Sequence, residues 1–186
     1  MHGISTERAR AEGMPLKDAM EMIVARVVSA SARGVPLVGM KLDYDLTILD
    51  TQCRHLGRYG LLERGWCGPV LDAVVLDRHE DRFRKGSRTL SALCAHYGIC
   101  IENAHDAVAD AVASAEVLFA LAARYASLGE AEPFELHRAQ IEWHREWAQS
   151  YDDWRIGRGM SPMDTRDFIW PVAPTVVGAP DLRLTA

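Results

Sequence analysis

Hydrophobic positions along the chain fall into two rhythms, a helical period and short unbroken runs. Ser5 or Thr6 can cap a short helix through Arg10, which Gly13 and Pro15 end. From Leu16 the apolar residues Met20, Ile23, Val24, Val27 and Val28 recur at helical spacing until Gly34, predicting an amphipathic helix. Residues 35–40 form a compact apolar run and residues 69–76 a second, rich in β-branched side chains. Runs of that length read as strands buried on both faces. A helical stretch at about 44–59 and a loop carrying Gly65 and Gly68 lie between them. Further helices are predicted over 89–97, closed by Gly98, and over 107–125, where Val108, Val112, Ala115, Phe119 and Ala122 share one side. Strand, helix, strand, helix predicts an α/β layer rather than a bundle.

Past Gly129 and Pro133 the residues Leu136, Gln140, Trp143, Trp147, Tyr151 and Trp154 lie along one helical stripe. A carboxy-terminal helix packed on the main body is expected, with an aromatic face offered to a partner as the alternative. The periodicity weakens from Gly157, giving a division into an α/β domain (1–128), an aromatic helix (129–157) and an extended tail (158–186).

Composition narrows the class. With 186 residues, 48% of them hydrophobic and 25% charged, the chain can bury a single core without metal or disulfide staples. The longest apolar stretch, 117–123, is far too short to span a bilayer, and the amino terminus carries no signal pattern. A cytoplasmic protein with no membrane partner is expected. Cys53, Cys67, Cys94 and Cys100 form no Cys-x-x-Cys pair and read as reduced small hydrophobes. A net charge of -5 excludes a generic basic grip on nucleic acid but leaves room for an acidic site that meets phosphate through metal.

Two short segments carry candidate chemistry. His105 sits just before the long helix, Asp110 projects from its second turn, and Asp106 or Asn103 can cap it. A histidine near neutral pKa beside a carboxylate is suited to deprotonating a metal-bound water, although helix capping alone explains Asp106. Asp45 follows the first buried run directly, where open α/β sheets bind their ligands. Asp45 and Asp43 also fit as helix-start carboxylates favoured by the macrodipole. Arg78, Arg82, Arg84, Lys85 and Arg88, with Phe83 among them, form a basic cluster that reads either as a solvated loop or as a contact for a single strand, Phe83 stacking on a base.

Taken together, Tyr44-Asp45 after an apolar run and His105-Asp106-Ala107-Val108-Ala109-Asp110 resemble the second and third motifs of the DnaQ-like (DEDDh) 3'-5' exonucleases. The segments 72–78 and 90–99 are similar to the family's middle strand and the helix before motif three, and His2-Gly3-Ile4-Ser5 to the segment ahead of its first helix. The resemblance runs from about residue 2 to residue 125. It implies a ribonuclease H-like exonuclease fold with an added carboxy-terminal helix. It further implies Mg²⁺ or Mn²⁺ held by Asp45 and Asp110 in a two-metal site, His105 as general base, and single-stranded DNA 3' ends as substrate. The expected substrate contacts are Tyr44 beside Asp45 and, from the basic cluster, Phe83, Arg84 and Lys85.

The chain departs from the family pattern in three places. Lys41 stands where the family carries Asn, and Asp43 where it carries a small or neutral residue. No Asp-x-Glu, the family's first motif, occurs anywhere in the sequence, so the fold is expected to be amino-terminally incomplete. The two remaining strands would then leave an unpaired sheet edge open to a polypeptide supplying the missing strands or to a second copy of the chain. With two of the family's four acidic groups, the chain alone is expected to degrade DNA little or not at all. The competing readings are a non-catalytic exonuclease-fold module serving a DNA polymerase or another member of a replication complex, and an HD-type phosphohydrolase, whose all-helical fold the two β-branched runs oppose.

Overall fold

The structure, a computed structural model, describes residues 4–101 and 106–174. It is mixed α/β and mostly helical. Two helices, α1 (Thr6–Glu12) and α2 (Leu16–Ala32), precede strand β1 (Leu37–Gly39), which leads into α3 (Leu42–His55). Strand β2 (Val70–Asp72) runs directly into α4 (Ala73–Glu80), followed by α5 (Leu90–Tyr97) and α6 (Ala107–Arg124). A short α7 (Ala126–Gly129), the long α8 (Pro133–Ile156) and a 3-10 turn at Thr165–Phe168 complete the order.

β1 and β2 pair in parallel, with Leu37 opposite Val70, Val38 opposite Leu71 and Gly39 opposite Asp72. Alternate strand residues point to opposite faces, and the packing follows that rule. Val38 and Leu71 face a core built from α4, α5 and α6, centred on Leu76, Leu93, Val117 and Leu121. Leu37 and Val70 face a second core with Val24, Leu46, Leu61, Trp66 and Trp170. The small sheet is therefore the middle of three layers.

The expected strand over 69–76 is corrected: it ends at Asp72, and residues 73–80 are helical. Asp72 is the cause. Its Oδ1 accepts the Val74 and Val75 amides at 2.8 and 3.4 Å, an N-cap that turns the chain into a helix. Val74, Val75 and Leu76 are all buried in that helix, so their apolar run carries no polar alternation to mark it as helical. The run 35–40 likewise shortens to Leu37–Gly39.

Other boundaries follow local chemistry. Thr89 caps α5 through Ala92, and Gly98 ends it at φ 72°, where a side chain would be strained. Asp106 caps α6 through Val108 and Ala109. The stripe Val108, Val112 and Phe119 is the exposed side of α6, at 72%, 53% and 71% exposure, while Ala113, Val117 and Leu121 are buried opposite. Residues beyond α8 return to the body: Trp170 is buried in the second core and the Ala173 amide donates to Thr47 Oγ1 at 3.0 Å.

α8 packs on β2 and α4 through an unusual contact. Gln140 is fully buried; its Oε1 accepts the Asp72 amide at 2.8 Å and its Nε2 donates to the Val70 carbonyl at 2.9 Å. His137 Nδ1 accepts the Val70 amide at 3.2 Å. Two side chains thus occupy the hydrogen-bonding positions of a neighbouring strand.

Candidate functional site

A cavity of about 590 Å³ opens beyond the carboxyl ends of both strands. Met40 and Lys41 after β1, Asp43, Tyr44 and Asp45 in the first turn of α3, Asp72 at the end of β2, Arg78 of α4, and His144 and Trp147 of α8 line it. Its position follows from topology, because the helix after β1 packs on one face of the sheet and the helix after β2 on the other, leaving a crevice between the helix starts.

Asp72 organises the floor. Besides capping α4 it accepts the Leu42 amide on Oδ2 at 2.8 Å, so one carboxylate joins the amino-terminal ends of α3 and α4. Burial pushes its acid strength down, raising its pKa, against the backbone amides that favour the charged form. Lys41 caps α3 in the left-handed region at φ 55°, a conformation that favours Gly or Asn.

Asp45 lies on the cavity wall, exposed to solvent. Partial desolvation there, and then the negative charge of Asp43, raise its pKa above the ordinary aspartate value. Across from these carboxylates, the Arg78 guanidinium stacks over Trp147 at 3.6 Å from the ring centroid. It forms no hydrogen bond or ion pair with the described residues. Burial pulls its pKa down to about 10, which leaves it charged at neutral pH.

The remaining candidate residues divide. Tyr44 and Asp45 meet at the cavity. Asp110 is in the first turn of α6, a helix packed against β1, and is not among the residues lining the cavity. His105 lies outside the described residues, as do His2 and Gly3. Arg84 is drawn inward: with Arg88 it pairs with the fully buried Asp77 at 3.1 and 2.5 Å, and Tyr97 donates to the same carboxylate at 2.8 Å. Phe83 is 87% exposed, and neither it nor the exposed Lys85 lines a cavity described here.

Four residues of the site, Asp72, Arg78, His144 and Trp147, were not among the candidates read as its ligands. Arg78 and Trp147 stood within the basic cluster and the aromatic stripe; only the packing of α8 against α4 joins the two patterns. For Asp72 the signal was an Asp two and three residues before buried valines, an N-cap spacing.

Among the described residues no group of three or more His, Cys, Asp or Glu side chains is placed to hold a metal ion. Asp72, the third carboxylate on the cavity wall, is committed to backbone amides. The described side chains therefore do not fit a two-ion site. Among those residues no helix is long and apolar enough to cross a membrane. Comparison with protein-family models, curated proteins and solved structures found no match.

Proposed function

We propose that this chain is built on the ribonuclease H-like plan of the DnaQ-like exonucleases and receives the 3' end of a single DNA strand in the carboxyl-end cavity. As it stands it binds that end without appreciable hydrolysis, serving as an end-binding module beside a DNA polymerase. The observation that carries the reading is the convergence in one cavity of Tyr44 and Asp45, from the motif that resembles the family, with the Arg78 guanidinium, which is ion-paired to none of the described residues, and the ring of Trp147. A guanidinium with no ion pair to a described carboxylate is matched to a phosphate, and an exposed ring such as Tyr44 to a base.

Asp45 and Asp110 remain the residues to which the resemblance assigns Mg²⁺ or Mn²⁺. Hydrolysis by two ions needs enough carboxylate to hold both, and Asp72 has none to spare. No cleavage step is therefore assigned to the described side chains.

The test uses the purified chain with a 5'-labelled oligothymidylate in Mg²⁺. Binding should appear by fluorescence anisotropy, weaken with salt, and leave the oligonucleotide intact over hours. Absence of binding at low salt would remove the reading. Rapid Mg²⁺-dependent shortening from the 3' end, abolished by Asp110→Asn, would overturn its non-hydrolytic part and make the chain a working exonuclease.

A further inference from the structure

A second, smaller cavity of about 240 Å³ adjoins the first, and Arg78 and Trp147 line both. Arg82, His79 and Trp143 add to its walls, with Glu146 its one carboxylate. His79 is stacked on Trp143, ring centroids 3.6 Å apart and planes 14° from parallel. From Trp147 a ribbon of aromatic rings continues along α8. Trp147 and Tyr151 lie 5.4 Å apart and 11° from parallel, and Tyr151 and Trp154 5.6 Å apart and 14° from parallel.

Tyr151 and Trp154 are 37% and 45% exposed, too open to be explained by the core. Cations accompany the rings: Arg158 lies over Trp154 at 4.1 Å, and Arg155 lies 5.9 Å from the Tyr151 ring. We infer that the single strand leaves the carboxyl-end cavity past the stacked Arg78–Trp147 pair and runs along this ribbon, its bases against the exposed sides of Tyr151 and Trp154 and its phosphates beside Arg82 and Arg158. The inference rests on the proposed end-binding function and adds a track to it.

Charge decides between the two occupants that an aromatic groove attracts. A proline-rich peptide needs rings but no row of cations. A single strand uses both, because every base has a face to stack and every linkage a charge to neutralise. Arginines interleaved with near-parallel rings match the second pattern.

The experiment measures affinity for oligothymidylates of two, four, six and eight nucleotides, using the whole chain. Affinity should climb roughly tenfold or more between two and six nucleotides as stacking positions fill. Trp154→Ala and the pair Arg82→Ala with Arg158→Ala should flatten that climb while leaving the dinucleotide affinity unchanged, and the double variant should show a shallower salt dependence. Thermal melts of these surface variants should match the parent, which separates lost contacts from lost folding. Length-independent affinity with the dinucleotide still bound would overturn the track and leave the end-binding function standing. No binding of any length would remove both. Displacement of the octanucleotide by a polyproline peptide, with loss of that displacement in Trp154→Ala, would overturn the track by giving the ribbon to a peptide.

Discussion

The two edges of the small sheet are treated in opposite ways. Along β2, Gln140 and His137 supply donor and acceptor atoms to Val70 and Asp72, so the edge is closed by side chains of α8. Along β1 the Leu37 amide donates to the Pro69 carbonyl, toward β2. The Val38 amide and carbonyl, one residue on, therefore face away from β2, because successive residues of a strand alternate the direction of these groups. α6, which packs against β1, also exposes Val108, Val112 and Phe119. One edge is thus closed by side chains of α8, while along the other no described residue is bonded to the outward Val38 amide and carbonyl. A sheet of two strands is not stable by itself; here the helical cores on both faces support it and the Gln140 and His137 side chains close its β2 edge.

The largest expected effect is at the closed edge. Gln140→Leu keeps the volume but leaves the Asp72 amide and the Val70 carbonyl buried without partners, costing about 2–4 kcal/mol of unfolding free energy in urea titration. A loss below about 1 kcal/mol would mean that water or a backbone shift satisfies those groups, and the contrast between the edges would collapse.

Proline substitutions sharpen the same contrast within one strand. Leu37→Pro removes an amide that bonds to Pro69 and should cost about 3 kcal/mol or more. Val38→Pro removes an amide that points outward and should cost about 1–2 kcal/mol, from the side-chain packing lost on the first core. Equal losses would show that Val38 is also paired.

Much of this organisation was legible in the chain. Thr89 and Gly98 bracket α5, and the spacing from 107 onward marks α6, because capping and periodicity are local effects. The closed edge was not legible: Gln140 sits on an aromatic stripe and bonds to residues about seventy positions away. The overextended second strand failed for a different reason, since Val74 to Leu76 are buried on every side and a wholly apolar run has no period. At the site, Tyr44 and Asp45 could be read as a motif, but Arg78 and Trp147 come together only through tertiary packing. The side of α6 that faces the core also had to come from the structure, because both sides of that helix are apolar.

A smaller effect is expected from pH. His137 accepts the Val70 amide on Nδ1, which requires the neutral ring with its proton on Nε2. Burial holds its pKa below the ordinary 6.5. The unfolded chain therefore takes up a proton before the folded one does. This group's contribution is complete above about pH 6.5 and declines as the pH falls from there toward its folded pKa. Urea midpoints measured between pH 7.5 and 5 should fall accordingly, and His137→Gln, which keeps an acceptor without a titration, should reduce the slope. An unchanged slope would place the pH sensitivity elsewhere.

The smallest effect on stability, and the most direct test of the open edge, concerns association. A strand from a second copy, or from a polypeptide supplying further strands, would satisfy the Val38 amide and carbonyl and cover the exposed side of α6. Phe119→Glu places a charge on that side at a position 71% exposed, so its unfolding free energy should change by no more than about 0.5 kcal/mol. Its effect on association should be much larger. Sedimentation velocity at rising protein concentration is expected to show a reversible dimer of the parent chain that weakens in Phe119→Glu and again in Val38→Pro. The two substitutions act on different chemistry, an apolar contact and a backbone donor. A dimer that needs both must have a strand seated on β1 and packed against α6, whereas a dimer indifferent to both would assign self-association to another surface and leave the β1 edge facing water.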